Sequence, residues 1–454
     1  MTPLQAGMLF HNLADPGSGV DIEHVTVKFN ENLDVERIKQ SWAHAISNRD
    51  ALRSSFDWSD ANGPYQLVHL DFDFPLIELD WSNETSENVA RQKNKCMKDD
   101  RAQGFDLNTP PIRLTIAKIQ NNHYWMLWSF HHIILDGRSF ELVLKDVLSF
   151  YDEGLFNKLP PELSFAAYAK SLNNKEQNQG FWVDHYRDVD ASRTFGLANQ
   201  IAAIKTTDEK VPYAYKKVAL PAKAQIDLRL LADNHAISIN TVIQTAWALL
   251  LHYYTNQDIV AFASTRAIRH QFPNAEKVAG LLINTLPFRV EVTNRVTLLE
   301  LLRSVKEEQL TLRQAENTSL SIVHENVPSL ASIDTLVMFD NQNLDSRMRG
   351  KPHSQPLTRT FVYDGQTNYP ITLIAYDHPE MSIRLEYRTD ILDKENSDRI
   401  LDQLTNLLVN FAANVNELAI NVPYLSGSEL ALLKSWNDTD RAVSYTHLTL
   451  PTKA

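Results

Sequence analysis

The stretch that decides the fold runs from Tyr124 to Gly137, YWMLWSFHHIILDG, and continues as RSFELVLKDVLSFYDEG. From Tyr124 to Leu135 nearly every residue is aromatic, β-branched or aliphatic on both alternating faces, the pattern of a strand covered on both sides. Beyond the Asp136-Gly137 break, Phe140, Val143, Leu144, Val147, Leu148 and Tyr151 recur at spacings of three and four. That spacing predicts an amphipathic helix packed back on the strand. Two histidines and an aspartate therefore stand at the exit of a buried strand.

Neighbouring side chains on a regular strand point to opposite faces, so His131 and His132 cannot both enter one site. One is expected to be chemical and the other structural. A neutral imidazole can take a proton from an attacking amine or hydroxyl, and Asp136 stands close enough to order the turn around it. The competing reading is a pair of core histidines bonded to backbone. A metal would need a third ligand, and the local sequence offers only Asp136, so no metal is expected.

His131, His132, Asp136 and Gly137 reproduce the HHxxxDG signature of the condensation domains of nonribosomal peptide synthetases, and further motifs follow in order. TPLQAGMLFHNLADPGSG resembles the family's first motif, in the version that accepts a D-configured donor. NRDALRSSF, Asn48 to Phe56, resembles the second; without the resemblance, Arg49 and Arg53 read as solvated or paired surface charges. Ala166 to Lys170 matches a tyrosine-rich motif loosely. VAGLLINTLPFRVEV resembles IGxFxNTxP, with Gly280, Asn284, Thr285 and Pro287 in place and Leu282 where phenylalanine is commoner. Without the resemblance, Asn284-Thr285 is equally well turn chemistry. Asp340-Asn341 ends a late strand as the family's acidic-Asn pair does.

Composition is that of a globular chain. The 454 residues are 43% hydrophobic and 22% charged, enough for two or three compact units. A net charge of −12 with no Lys/Arg run argues against a nucleic-acid partner. No apolar segment reaches the length of a membrane span, and there is no signal-peptide pattern at the N-terminus. The single cysteine, Cys96, lies in a charged helical context, which excludes an internal disulfide framework and fits a reducing cytosol. A cytoplasmic location without membrane partner is expected.

The other elements are read from caps and periodicity. Thr2 and Pro3 open a helix, and Val25, Val27 and Phe29 form a strand. Asp34 caps a helix whose inner face carries Ile38, Trp42, Ala45 and Ile46. Ile112 to Ile119 and the Tyr124 strand form a hairpin. Helices are expected over Ser86 to Gln103, Ile237 to Thr255, Leu298 to Glu316 and Lys394 to Ala413, and strands over Ile259 to Ser264 and within TNYPITLIAYDHPEMSIRLEYRTDIL.

Covering residues 2 to 418, the resemblance implies an α+β fold of two chloramphenicol-acetyltransferase-like lobes, a pseudo-dimer with a central tunnel. The lobes are expected over residues 1–165 and 166–418. Residues 419–442 look like a linker toward an adenylation domain, and 443–454 match nothing, so the chain is expected to be a fragment with a non-native tail. The implied reaction is amide formation between donor and acceptor thioesters, each carried on the phosphopantetheine of a peptidyl carrier domain, one upstream and one downstream, with no cofactor of the domain's own. The catalytic set would be His132 with His131, Asp136 and Gly137. Arg269, or Arg266, would pair with Asp136, and Asn284 would support the site. Alternatives are an epimerisation domain, a coenzyme A-dependent acyltransferase and a non-catalytic docking module. Gly137-Arg138-Ser139-Phe140-Glu141 departs from the epimerisation continuation, the adenylation-like end disfavours a free-standing acyltransferase, and an intact His132 disfavours a docking module.

Overall fold

A computed structural model of the chain describes residues 1–15, 17–60, 63–154, 160, 163–173, 178–189, 194–197, 213–342, 344–349 and 358–438. The unmatched tail, 443–454, lies outside them. The strands in chain order are β1 (Ile22–Phe29), β2 (Ser54–Asp57), β3 (Tyr65–Val68), β4 (Leu76–Asp80), β5 (Ile112–Ile119), β6 (His123–His131) and β7 (Tyr213–Ala219). Then come β8 (Ile259–Ala267), β9 (Ile283–Glu291), β10 (Thr335–Gln342), β11 (Arg359–Asp364), β12 (Ile371–His378) and β13 (Ser382–Arg388).

Two sheets organise the molecule. The first has the order β11-β1-β6-β5-β4 and the second β7-β13-β12-β10-β8-β9, with helices packed against each. The anticipated hairpin is present, β5 antiparallel to β6 across a turn at Gln120–Asn122. β6 sits in mid-sheet between β1 and β5, which is why both its faces are apolar: Trp128 and Phe130 enter the main core of the first lobe, while Trp125 and Leu127 face a smaller cluster with Trp81 and Val89. The Ser139–Glu153 helix then returns on the sheet through Phe140, Val143, Leu144 and Val147, as its spacing requires.

The two cores draw on interleaved parts of the chain. The helix Phe165–Asn173 begins at the expected break yet packs Phe165, Tyr168, Ala169 and Leu172 into the first core. Residues from far along the chain, Ile268 to Leu282 and Phe361, join the same core. β11 goes further and pairs with β1, Val25 opposite Tyr363, so the second half of the chain supplies an edge strand to the first sheet.

Several local expectations hold for stated reasons. Thr2 and Gln5 form a reciprocal capping box at the first helix, and Asp34 caps the helix Val35–Asn48. Pro287 lies inside β9, where it is tolerated because β9 is the edge of its sheet. Two elements are shorter than their apolar runs suggest. The Leu298 helix ends at Thr311 in favour of a 3₁₀ turn, and β6 stops at His131, with His132–Ile134 forming another 3₁₀ turn. Ile133, Ile134 and Leu135 are fully buried in and just after that turn, and apolar content alone does not separate a buried turn from a strand. Among the described residues no helix is long and apolar enough to cross a membrane.

Candidate active site

Ending β6 at His131 frees His132 from the alternation rule. His131, the last strand residue, is fully buried, and its Nδ1 accepts from the Ile133 N–H at 3.1 Å. Burial, reinforced by the neighbouring His132, pushes its pKa down to about 3, so this ring is neutral and structural. His132 is partly exposed. Its backbone N–H donates to the Asp21 carbonyl at 2.7 Å, while its ring Nδ1 has no hydrogen-bond partner among the described residues. Burial disfavours the imidazolium here, but the carboxylates of Glu23 and Asp21 outweigh it and hold the pKa above the ordinary histidine value.

Asp136 does not face the open side of the turn. Its Oδ1 accepts from Arg269 at 2.7 Å, from the Ser139 hydroxyl at 2.7 Å and from the Ser139 N–H at 2.9 Å. Its Oδ2 accepts from the Leu282 N–H at 2.9 Å. Arg269 also donates to the carbonyls of Ala275 and Val278, so the guanidinium and the carboxylate lock the HHxxxDG turn onto the segment Ala275 to Leu282. Burial pushes the Asp136 carboxyl up, yet Arg269, Ser139 and Leu282 together hold it below the usual carboxylate range.

Of the two candidate arginines, only Arg269 reaches Asp136. Arg266 is turned instead to Glu316, at 2.8 Å, and to the Gln309 carbonyl. Asn284 likewise serves the second lobe, donating to the carbonyls of Glu316 and Thr318. Arg266 lies on β8, whereas Arg269 follows the end of that strand in the 3₁₀ turn Arg269–Gln271, where its guanidinium reaches Asp136. Arg49 is not a surface charge. It is buried, pairs with Asp146 at 2.7 Å and donates to the Lys277 carbonyl, a second link from the first lobe to the same segment.

Gly137 and Gly280 are glycines for different reasons. A Cβ on Gly137 would meet nothing closer than the Phe140 ring at 3.9 Å, and its N–H has no partner among the described residues. A Cβ on Gly280 would lie 2.0 Å from the Phe165 ring, and the Gly280 carbonyl accepts from the Asp136 N–H. Gly280→Ala should therefore cost about 1–3 kcal/mol by forcing this fully packed ring aside. Chemical denaturation checks it; an unchanged midpoint would mean the helix Phe165–Asn173 yields freely.

Sequence reasoning missed four contributors. Ser139 accepts from Arg269 and from the Gly280 N–H with the hydroxyl that it offers to Asp136. Gln5, fully buried, donates to the Ile133 carbonyl at 3.0 Å and so props the histidine turn from the first helix. Asp21 and Glu23 supply the negative field at His132. Ser139 carries a readable signal, two residues after the Asp-Gly pair at a helix start, where hydroxyls are common caps. Nothing local marks Asp21 or Glu23. Among the described residues no group of three His, Cys, Asp or Glu side chains is arranged to hold a metal ion.

In this α+β molecule the turn is tied to a distant part of the chain through Asp136 and Arg269. The family model "Condensation domain" matches residues 1–433, and the chain belongs to that family. It is a condensation domain of the nonribosomal peptide synthetase type. One of the linear gramicidin synthase proteins of Brevibacillus parabrevis is 31% identical over 97% of this chain, which spans 9% of that protein. Surfactin synthase subunit 3 of Bacillus subtilis is 25% identical over 92% of this chain, which spans 33% of it. Among solved structures, a four-domain nonribosomal peptide synthetase bound to AMP and glycine aligns over 94% of this chain and 34% of its own, with a TM-score of 0.77 at 17% identity. The first condensation domain of the calcium-dependent antibiotic synthetase, in complex with a substrate analogue, covers 94% of this chain and 98% of its own, with a TM-score of 0.73 at 15% identity. The family's reaction is amide-bond formation on carrier-bound substrates. The chloramphenicol-acetyltransferase-like fold follows from the same likeness.

Proposed function

We propose that this chain joins two carrier-bound acyl groups: the α-amine of an acceptor aminoacyl thioester attacks the carbonyl of a donor aminoacyl or peptidyl thioester. Each would arrive on the phosphopantetheine arm of a carrier domain, through a passage between the lobes. The observation that carries this reading is a partly exposed His132 ring on a turn held rigid by the buried Asp136–Arg269 pair. A poised proton acceptor on a fixed support is what amine attack needs.

Roles divide by exposure. His132 steers or takes the amine proton. The unpaired Gly137 N–H suits an oxyanion donor as the carbonyl becomes tetrahedral. His131 and Asp136 are positioning residues, since the first is sealed and neutral and the second already spends both oxygens on protein donors. Arg269 completes that support; Arg266 and Asn284 brace the second lobe. Half-buried Cys96, its thiol pushed up to about 11 by burial and by Asp100 and Asp99, is a bystander compatible with a reducing cytoplasm. The helix Gly427–Asn437 buries no residue and exposes Leu430, Leu432 and Trp436, which supports an adenylation domain as the next module.

Intact-mass measurement tests the reading. With donor- and acceptor-loaded carrier domains supplied, the acceptor carrier should gain the mass of the donor acyl group, and parallel L- and D-donors report the stereochemical preference. No gain above the uncatalysed background would refute it.

A further inference from the structure

Two buried carboxylates, Asp21 and Glu23, act electrostatically on the His132 ring. Asp21, whose carbonyl holds the His132 backbone N–H, sits in left-handed backbone at φ 62° and is 7% exposed. Glu23, two residues on, is 2% exposed, and its Oε2 has no hydrogen-bond partner among the described residues. Room for this carboxylate exists because residue 365 is glycine: a Cβ there would lie 2.0 Å from Glu23 Oε2 and 2.3 Å from the Tyr363 hydroxyl. Further off, Glu386 on β13 and Asp364 on β11 add negative charge, and Arg101 and Arg384 answer it, pairing with Asp364 and Glu386. Three buried carboxylates, Asp21, Glu23 and Glu386, and the more open Asp364 thus meet two guanidiniums and one imidazole, and buried charge left uncompensated is costly. A further cation would lower that cost.

We propose that Glu23, with Asp21 beside it, binds the α-ammonium of the acceptor aminoacyl group and takes its first proton, presenting a free amine to His132. This rests on the amide-forming reading above and names the residue that recognises the acceptor. Proton transfer turns the ammonium into an amine and the carboxylate into a carboxylic acid. Attack then forms the N–C bond and breaks the donor C–S bond. The second N–H proton passes by way of His132 to the departing thiolate sulfur, and Glu23 returns its proton to solvent as the amide leaves. Burial pushes Asp21 up to about 7, against the pull of His132, and holds Glu23 above the ordinary glutamate value, against His132, the Tyr363 hydroxyl and Arg101. Both carboxylates are thereby suited to accept a proton from an ammonium.

Binding calorimetry on the full chain separates this from alternatives. The probes are alanyl-pantetheine amide and its lactyl counterpart, in which a neutral hydroxyl replaces the ammonium. Wild type should favour the alanyl probe by about tenfold or more, the worth of one charged hydrogen bond. Glu23→Gln should shrink that preference to about threefold or less and leave lactyl affinity unchanged. Equal affinities in wild type, or a full preference retained by Glu23→Gln, would overturn the proposal. If circular dichroism shows Glu23→Gln unfolded, Asp21→Asn takes its place: it keeps the backbone bond to His132 and should reduce the preference too, and a full preference there would count against the idea. The calorimetry needs no turnover, so the two readings fail separately. A chain that prefers the ammonium yet forms no product would sink the amide reading alone, whereas Glu23→Gln with wild-type acceptor KM would sink this one alone.

Discussion

His132→Ala should reduce amide transfer between loaded carriers by about 10²–10⁴-fold, the usual contribution of a positioned proton-transfer group. The fold should survive, because the ring is partly exposed and its Nδ1 has no hydrogen-bond partner among the described residues. Melting temperature and intact-mass yield together decide the matter: a folded variant with undiminished yield removes His132 from the chemistry. The pH profile adds a second reading. Because Glu23 and Asp21 favour the imidazolium, with Asp136 adding to them, the ring binds its proton above the ordinary histidine pKa. A ring that must be neutral to accept a proton then gives a rate that climbs with pH through a value above about 6.5. Glu23→Gln, by removing a charge that favours the cation, should move that limb to lower pH.

Asp136→Asn should lower both stability and turnover. The carboxylate is 1% exposed and its charge is answered by Arg269, itself buried, so neutralising one partner strands the other at a cost of about 3–5 kcal/mol. The amide also presents a donor where Asp136 now only accepts, against Leu282 or Arg269. The sign with pH follows from the depressed carboxyl. Its stabilisation is full above the unfolded aspartate value of about 3.9 and is lost as pH falls through the lower folded value. Acid titration of melting temperature should therefore separate wild type from the variant at neutral pH and bring them together in strong acid. A variant with wild-type stability but no activity would show that Asp136 takes part in the chemistry directly.

Much of the site is legible in the sequence because its signals are local. The HHxxxDG turn, the apolar run before it and the periodic helix after it occupy one continuous stretch, and the Asp136–Arg269 pair is implied by two motifs in order. What escapes is what folding brings from afar. Arg49 looks like any helix-end arginine until Asp146 and Lys277 close around it. Arg266 and Arg269 are close in sequence, and only the end of β8 at Ala267 separates an arginine held on the strand beside Glu316 from one in the turn beside Asp136. Asp21 and Glu23 sit in and beside an ordinary amphipathic strand, and no periodicity distinguishes a carboxylate facing water from one facing His132. Burial of a turn is hidden too, since Ile133 to Leu135 are as apolar as the strand they follow.

The pairing of β11 with β1 has a consequence for how the molecule is made. While residues 359–364 are still being translated, β1 is an open edge of backbone donors and acceptors beside a finished hairpin, a surface that invites pairing with other chains. The first lobe therefore cannot mature in the order in which it is synthesised. It waits on a strand more than three hundred residues downstream, and the nascent chain is most in need of chaperone cover during that interval.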